Sequence, residues 1–452
     1  METTIVSSQT KVRNPMGAVM ASRNFRLLWI GQGTSLLGDQ FYLIAMPWLV
    51  LQRTGDPLAL GAVLALAGLP RAIFMLVGGA VTDRFSPRTV MLTSDIIRMG
   101  LMIGLTALLL GNMIQIWMIY AFCLLFGTAA GFFLPASNAI VPKLVGKEHL
   151  QAGNAITQGT SQLAQFIGPA LAGGLIAWAA NGQQLAPGAG ASNSLQGAAL
   201  AFAFDAITFL VSVITLWMMV LPASAPIISS EKVFASIWSG LRQFWQDAFI
   251  RFVLTMMACG SLFFAGTLMV GVPVLASTRL AGGATAYGIL MSVYAGGSLL
   301  GIIGAGTSPK LSARQIKLVL TGLNLIYAMG WLALMGLKNT GPVALVMLLI
   351  GLGSGYQMIT FFTALQRRVP KHLLGRLMSL VLLFNIGLTP VSQALAGLAI
   401  KWSLAGLFGL TGAFFFLLVF WAYFQPEFQM VGEILAVRSS GDRSARRSQV
   451  NL

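Results

Sequence analysis

The chain has 452 residues, of which 56% are hydrophobic and 9% charged, with a mean hydropathy of +0.81 and a formal net charge of +16. That composition excludes a water-soluble globule and describes a multispanning membrane protein. The basic excess does not point to nucleic acid, because it follows the loops of a membrane topology and suits contact with anionic lipid.

A bilayer core about 30 Å thick takes about 20 apolar residues per helix. Windows of that kind centre near Leu37, Leu69, Leu101, Cys123, Leu163, Leu210, Phe263, Val293, Leu325, Leu349, Leu388 and Phe415. The runs lack the alternation of a membrane barrel, so the expected fold is all-α, with twelve transmembrane helices. The tails and even-numbered loops hold about 22 of the 28 Lys and Arg, which predicts both termini on the cytoplasmic side of a multi-pass protein.

Residues 1–26 form the first tail, with Lys11, Arg13, Arg23 and Arg26 and no apolar run long enough for a signal peptide. Helix 1 then carries Asp39, helix 2 carries Arg71, helix 3 carries Asp95 and Arg98, and helix 6 carries Asp205. An ionisable group within a span costs several kcal/mol, which makes each a functional candidate. At a rise of about 1.5 Å per residue, Asp39 lies about 18 Å and Arg71 about 15 Å from the cytoplasmic ends of adjacent antiparallel helices. The two are expected to pair near the midplane. A carboxylate that meets a cation in one state and takes up a proton in another is the minimum device for proton coupling. Asp39 with Arg71 is read either as that device or as a permanent pair that fixes packing. Asp205, about 24 Å deep, is the second coupling candidate, with a structural hydrogen bond as its alternative.

Between helices 2 and 3 the chain reads Gly78-Gly79-Ala-Val-Thr-Asp83-Arg84-Phe-Ser-Pro-Arg88, which sets three charges in a short turn. Asp95 and Arg98, three residues apart on one face of helix 3, are expected to join that turn in a charge cluster. The cluster is either a conformational latch or a static anchor. Helix 4 shows Gly127 and Gly131, helix 8 Gly297 and Gly301, and helix 10 Gly351, Gly353 and Gly355, a spacing that permits close helix approach. On helix 5, Gly168-Pro169 and Gly173-Gly174 mark a bend or hinge, with a thinner counterpart at Gly387, Pro390 and Gly397 on helix 11.

A hydrophilic connection, residues 222–251, divides a first bundle, 27–221, from a second, 252–424. Val233, Ile237, Leu241, Phe244 and Trp245 recur there at helical spacing beside Lys232, Arg242 and Arg251, as in an interfacial amphipathic linker. A basic tail, 425–452, closes the chain. A weak repeat relates the halves. Val141-Pro142-Lys143 with His149-Leu150 follows helix 4, and Val369-Pro370-Lys371-His372-Leu373 follows helix 10. Gly304-Ala-Gly-Thr-Ser308 matches Gly79-Ala-Val-Thr-Asp83 with a serine in place of the aspartate. Such repeats are the mark of a duplicated transporter fold, two pseudo-symmetric six-helix bundles with a site between them.

Side chains that could meet a substrate are Gln32 and Gln40 on helix 1, Phe263 and Phe264 on helix 7, and Tyr356 and Gln357 on helix 10. An apolar cavity with few fixed charges suits a hydrophobic or amphipathic small molecule. Cys123 and Cys259 read as small core residues, and neither a metal-ligand cluster nor a nucleophile with a base partner is visible. No cofactor is expected, and an enzyme is the least favoured class.

These motifs resemble the major facilitator superfamily along essentially the whole chain. Gly79-x-x-x-Asp83-Arg84 with Arg88 is similar to its signature between helices 2 and 3, and Gly168-Pro169 with Gly173-Gly174 to its antiporter motif on helix 5. Asn24-Phe25-Arg26 leading to Gly38-Asp39-Gln40, Phe204-Asp205-Ala206, and Gln366-Arg-Arg-Val-Pro370 leading to Gly375-Arg376 resemble the subgroup of enterobactin exporters and macrolide-efflux proteins. The resemblance implies two bundles that rock about a cavity lined by helices 1, 4, 7 and 10, with Asp83, Arg84 and Arg88 stabilising an outward-facing state. It also implies a monomer in a bacterial inner membrane that exchanges protons for its substrate. Two departures stand out. Ser86 and Pro87 replace a glycine and a basic residue of the signature, and Cys123 stands where many drug and proton antiporters have an arginine, four residues before Gly127. The expected function is proton-coupled efflux of a drug or siderophore-like molecule. The alternatives are an importer or uncoupled facilitator, and a lipid-moving or sensory membrane protein.

Overall fold

The structure, a computed structural model, describes residues 15–146, 149–179, 191–220, 245–307, 311–369 and 374–436. Twelve long helices carry the described fold: α1 Arg23–Thr54, α2 Pro57–Arg84, α3 Pro87–Leu110, α4 Ile116–Leu144, α5 Leu150–Ala179 and α6 Ala191–Met218. After the central connection come α7 Ala248–Arg279, α8 Gly283–Thr307, α9 Ala313–Ala333, α10 Thr340–Arg368, α11 Leu374–Trp402 and α12 Leu404–Phe424. Ten of the twelve are long and apolar enough to cross a membrane on composition alone, while α1 and α5 are equally long but more polar. No strand occurs among the described residues. The protein is an all-α, multi-pass membrane protein.

Helix ends follow local chemistry. Gly55 ends α1 in the left-handed region at φ 61° and donates to Leu51 O, and Asp56 then caps α2 by accepting from Leu58 N at 2.9 Å. Ser86 accepts from Thr89 N at 3.4 Å and Pro87 opens α3, so the two residues that depart from the signature are helix-start chemistry. A π-turn, Thr267–Gly271, interrupts α7. A short helix Pro15–Ala21 precedes α1, and another, Pro426–Ala436, packs on α9 and α10 after α12.

The packing repeats. In the first half α1 meets α5 and α6, α2 meets α4, and α3 meets α6. In the second, α7 meets α11, α8 meets α10, and α9 meets α12. The predicted small-residue positions make these contacts close. Gly127 and Gly131 lie against the backbone of Ala67 and Arg71, and Gly297, Gly301, Gly351 and Gly355 interleave between α8 and α10. Most of the predicted linker helix, from Lys232 to Phe244, lies outside the described residues, as do Pro370 to Leu373, Ser308 and the tail beyond 436.

Two seams, α2 with α11 and α5 with α8, join the halves. A β-carbon on Gly397 would stand 2.8 Å from Pro57 O and 3.1 Å from Gly61 Cα, and one on Gly173 would stand 2.6 Å from Ala284 O and 3.1 Å from Gly288 Cα. Gly283 sits under the Trp48 indole at the same end. These contacts share the end of the bundle that carries the α1–α2, α7–α8 and α11–α12 turns. The halves are therefore pressed together where the odd-numbered loops emerge.

Candidate functional site

The centre of the first half is a buried charge cluster shared by α1, α3 and α6. Gly31 and Gly38 let α1 lie directly on α6, since a β-carbon at Gly38 would collide with Thr208 and Asp205. That approach carries Asp39 inward. Its carboxylate lies 3.7 Å from Arg98 Nη1, while Arg98 Nη2 donates to Asp95 one turn away on α3. Ser212 on α6 donates to Asp95 Oδ2 at 2.6 Å. The guanidinium carbon sits 4.4 Å from the Phe133 ring centroid and 4.5 Å from that of Phe209, so two aromatic faces supply what solvent would otherwise give the cation. Arg98 is 3% exposed, Asp95 fully buried, and Asp39 35% exposed. Asp39 is the member of the cluster that water or a proton can reach.

Asp205 lies fully buried beside them. Thr208 donates to its Oδ1 at 3.2 Å, and its Oδ2 has no partner among the described residues. Three carboxylates thus face one arginine in an apolar interior, an arrangement that cannot hold every member charged without large cost.

This geometry corrects two expectations. The ion pair of Asp39 is with Arg98 on α3, and Arg71 on α2 stands within its field without closing to an ion pair. Among the described side chains, Asp95 and Arg98 pair with each other, Asp39 and Ser212 in the α1/α3/α6 interior rather than with Arg84 or Arg88 of the turn between α2 and α3. Within that turn Arg88 donates from Nε to Leu216 O at 2.7 Å and from Nη2 to Trp217 O at 2.6 Å, which satisfies the last carbonyls of α6. Arg84 is exposed, and a β-carbon on Gly79 would meet open space. The side chain of Asp83 is outside the described set.

A cavity of about 250 Å³ opens between α1, α2, α4 and α11. Tyr42, Leu64, Phe126 and Pro390 give it apolar walls, and Arg71, Asn385, Thr389 and Gln393 give it polar points. Tyr42 stacks on Phe126 with centroids 4.5 Å apart, and its hydroxyl lies 3.7 Å from Cys123 Sγ. Arg71 exposes its side chain here.

The residues expected to meet substrate scatter. Gln32 donates to Ser137 at 2.7 Å on α4, and Gln40 packs beneath Gly168. Phe263 stacks on Phe414 at 3.6 Å, and Phe264 packs among Tyr294, Tyr327 and Trp331. Tyr356 packs against the apolar cluster around Phe361 and Leu365, and Gln357 Nε2 is buried without a partner among the described residues. None of these six lines the cavity. Of the expected hinge residues, Gly173 forms the α5–α8 seam, Pro169 O lies over Gly288, and Gly174 meets no neighbour; helix α5 runs unbroken through all of them.

Sequence reasoning missed Tyr42, Phe126, Phe133, Phe209 and Ser212, which carry no signal in a chain this rich in aromatic residues. Asn385, Thr389 and Gln393 carried one. Polar residues four apart on an otherwise apolar helix mark one face.

Two six-helix halves joined by two pseudo-equivalent seams, with a buried charge cluster beside a central cavity, give the architecture of a membrane transporter. The chain belongs to the Major Facilitator Superfamily, whose profile matches residues 28–388. It is 29% identical over 381 residues to the enterobactin exporter EntS of Escherichia coli, an alignment that covers 82% of this chain and 84% of that one. Macrolide efflux protein A of Streptococcus pyogenes is 26% identical over 148 residues, 33% of this chain, and the chain spans about a third, 36%, of that relative's length. Among solved structures, a bacterial homologue of the iron transporter ferroportin in an inward-facing state superposes with a TM-score of 0.65 at 15% identity, over 88% of this chain and 98% of that one. The nucleoside transporter NupG gives 0.63 at 14% identity, over 89% and 99%. At such identities these likenesses speak for the fold alone.

Proposed function

We propose that this transporter exports a hydrophobic or amphipathic small molecule in exchange for protons, with Asp39 as the coupling group. The observation that carries the reading is the Asp39–Arg98–Asp95 arrangement. Arg98 is shared between two carboxylates, one sealed and one half-exposed. When Asp39 lets go and takes up a proton, Asp95 keeps the arginine neutralised, so the exchange leaves no orphaned buried cation. Asp205, whose Oδ1 lies closest to Gly38 of α1 and whose Oδ2 has no partner among the described residues, is the second group in the relay.

Alternating access needs only that substrate and proton bind the two states differently. The halves meet at the odd-loop end, and the distribution of Lys and Arg makes that the outer face, so this state opens inward. The turn from Gly79 through Asp83 and Arg84 to Arg88, tied to α6 by Arg88, serves as the latch of the opposite state. In this reading the protein works as a monomer in a bacterial plasma membrane, with residues 222–251 tethering the halves and both termini cytoplasmic.

The test is flux of a panel of dyes and antibiotics in proteoliposomes with and without an imposed pH gradient. Gradient-driven movement is expected, and Asp39→Asn should reduce it to the level seen without a gradient. Undiminished proton-driven transport by Asp39→Asn would reject the assignment.

A further inference from the structure

Arg71 was expected to neutralise Asp39, and the structure leaves it without that task. Asp39 is engaged by Arg98, and among the described residues Arg71 makes no ion pair or hydrogen bond. It lies within the field of Asp39, yet its side chain is directed into the cavity. A guanidinium on an apolar helix, unpaired and facing a cavity, is a binding group waiting for an anion.

The rest of the lining agrees. Tyr42 and Phe126, already stacked on each other, present an aromatic wall. Gly68, Gly127 and Pro390 complete the lining, in which Gln393 is 8% exposed with a side-chain oxygen that has no partner among the described residues. A carboxamide there can donate to an anion in one orientation and accept from a hydroxyl in the other. Among the residues lining the cavity, Arg71 carries the one formal charge.

We infer that the cavity binds an amphipathic aromatic anion, with Arg71 as the counter-ion of its acidic group and Tyr42 and Phe126 as the platform for its ring. This deepens the transport reading by naming a substrate class, and it rests on that reading only for the claim that the bound molecule is moved. Charge selection follows from the same residues. A neutral isostere keeps the stacking and loses the guanidinium contact, and a cation meets Arg71 as a like charge.

The experiment uses the full chain in nanodiscs and three probes of one shape: 2-naphthoate, 2-naphthamide and 2-naphthamidine. Binding is read by calorimetry at low and high salt. Naphthoate should bind about tenfold or more tighter than naphthamide, as expected for one charge-assisted contact, and naphthamidine weakest. Arg71→Gln should erase the advantage of the anion and leave naphthamide affinity unchanged, Arg71→Lys should restore part of it, and Tyr42→Ala should weaken both probes. Thermal unfolding of each variant reports whether it is folded. Equal affinity for the three probes, a preference for the cation, no binding of any probe, or full naphthoate affinity in a folded Arg71→Gln would overturn the inference. Transport separates the two readings. Proton-driven flux of other compounds with no anion preference at the cavity defeats the inference and leaves the transport reading standing. Charge-selective binding with no gradient-driven flux does the reverse.

Discussion

The middle of each half is built from three helices in equivalent places, and the two are filled with different chemistry. In the first, α1, α3 and α6 close around Asp39, Asp95, Asp205 and Arg98. In the second, α7, α9 and α12 close around a hydrogen bond between Thr267 and Thr411 at 2.8 Å and the rings of Phe264, Tyr327, Trp331 and Phe415. The scaffold is symmetric because glycines set the helix spacing in both halves. The chemistry is not: the first centre holds four ionisable side chains, and the second holds a hydroxyl pair among aromatic rings. Like seams therefore frame unlike centres.

Removing the cation should show the difference most strongly. Arg98→Leu leaves carboxylates facing one another in an apolar interior and should cost about 3–5 kcal/mol, read as a lower thermal midpoint in detergent. A loss as small as that of a surface charge would mean that the cluster is solvated and the contrast false. Next come the seams. Gly173→Leu and Gly397→Leu each drive a side chain into the facing helix and should cost about 1–3 kcal/mol, because the facing atoms are backbone atoms that cannot swing aside. Spin-label distances across the odd-loop end should lengthen in both. Lengthening in one alone would break the equivalence of the two seams. The smallest effect belongs to the second centre. Thr411→Val removes one buried hydroxyl pair and should cost about 1 kcal/mol with little change in proton-driven flux. A collapse of coupling there would place titrating chemistry in both halves.

Much of the fold was legible. The span windows, the small-residue seams and the helix-start chemistry at Asp56-Pro57 and Ser86-Pro87 are local or periodic properties, and each is visible in a few consecutive residues. The ionisable members of the site were legible as well, since a charge in an apolar run stands out. Their partners were not. Depth along a helix follows from counting residues, which is the ground for expecting Asp39 and Arg71 at one level, but rotation about the helix axis depends on what each helix packs against. Gly31 and Gly38 seat α1 on α6, and that seating swings Asp39 toward Arg98. The aromatic pair around Arg98 is similarly hidden, because Phe133 and Phe209 are two of 28 phenylalanines until α4 and α6 are brought together.

Composition and hydropathy by themselves determined an all-α, multi-pass membrane protein, because apolar length and loop charge are set by the solvent on each side of a bilayer and read out residue by residue; the weak repeat and the resemblance of the Gly79–Arg88 turn then implied a transporter. Which arginine holds Asp39, which is left to face the cavity, and which side chains line that cavity were decided only by the tertiary structure. Those depend on helix rotation and on contacts between segments more than fifty residues apart, fixed by close packing of many weak contacts that no single stretch of chain contains.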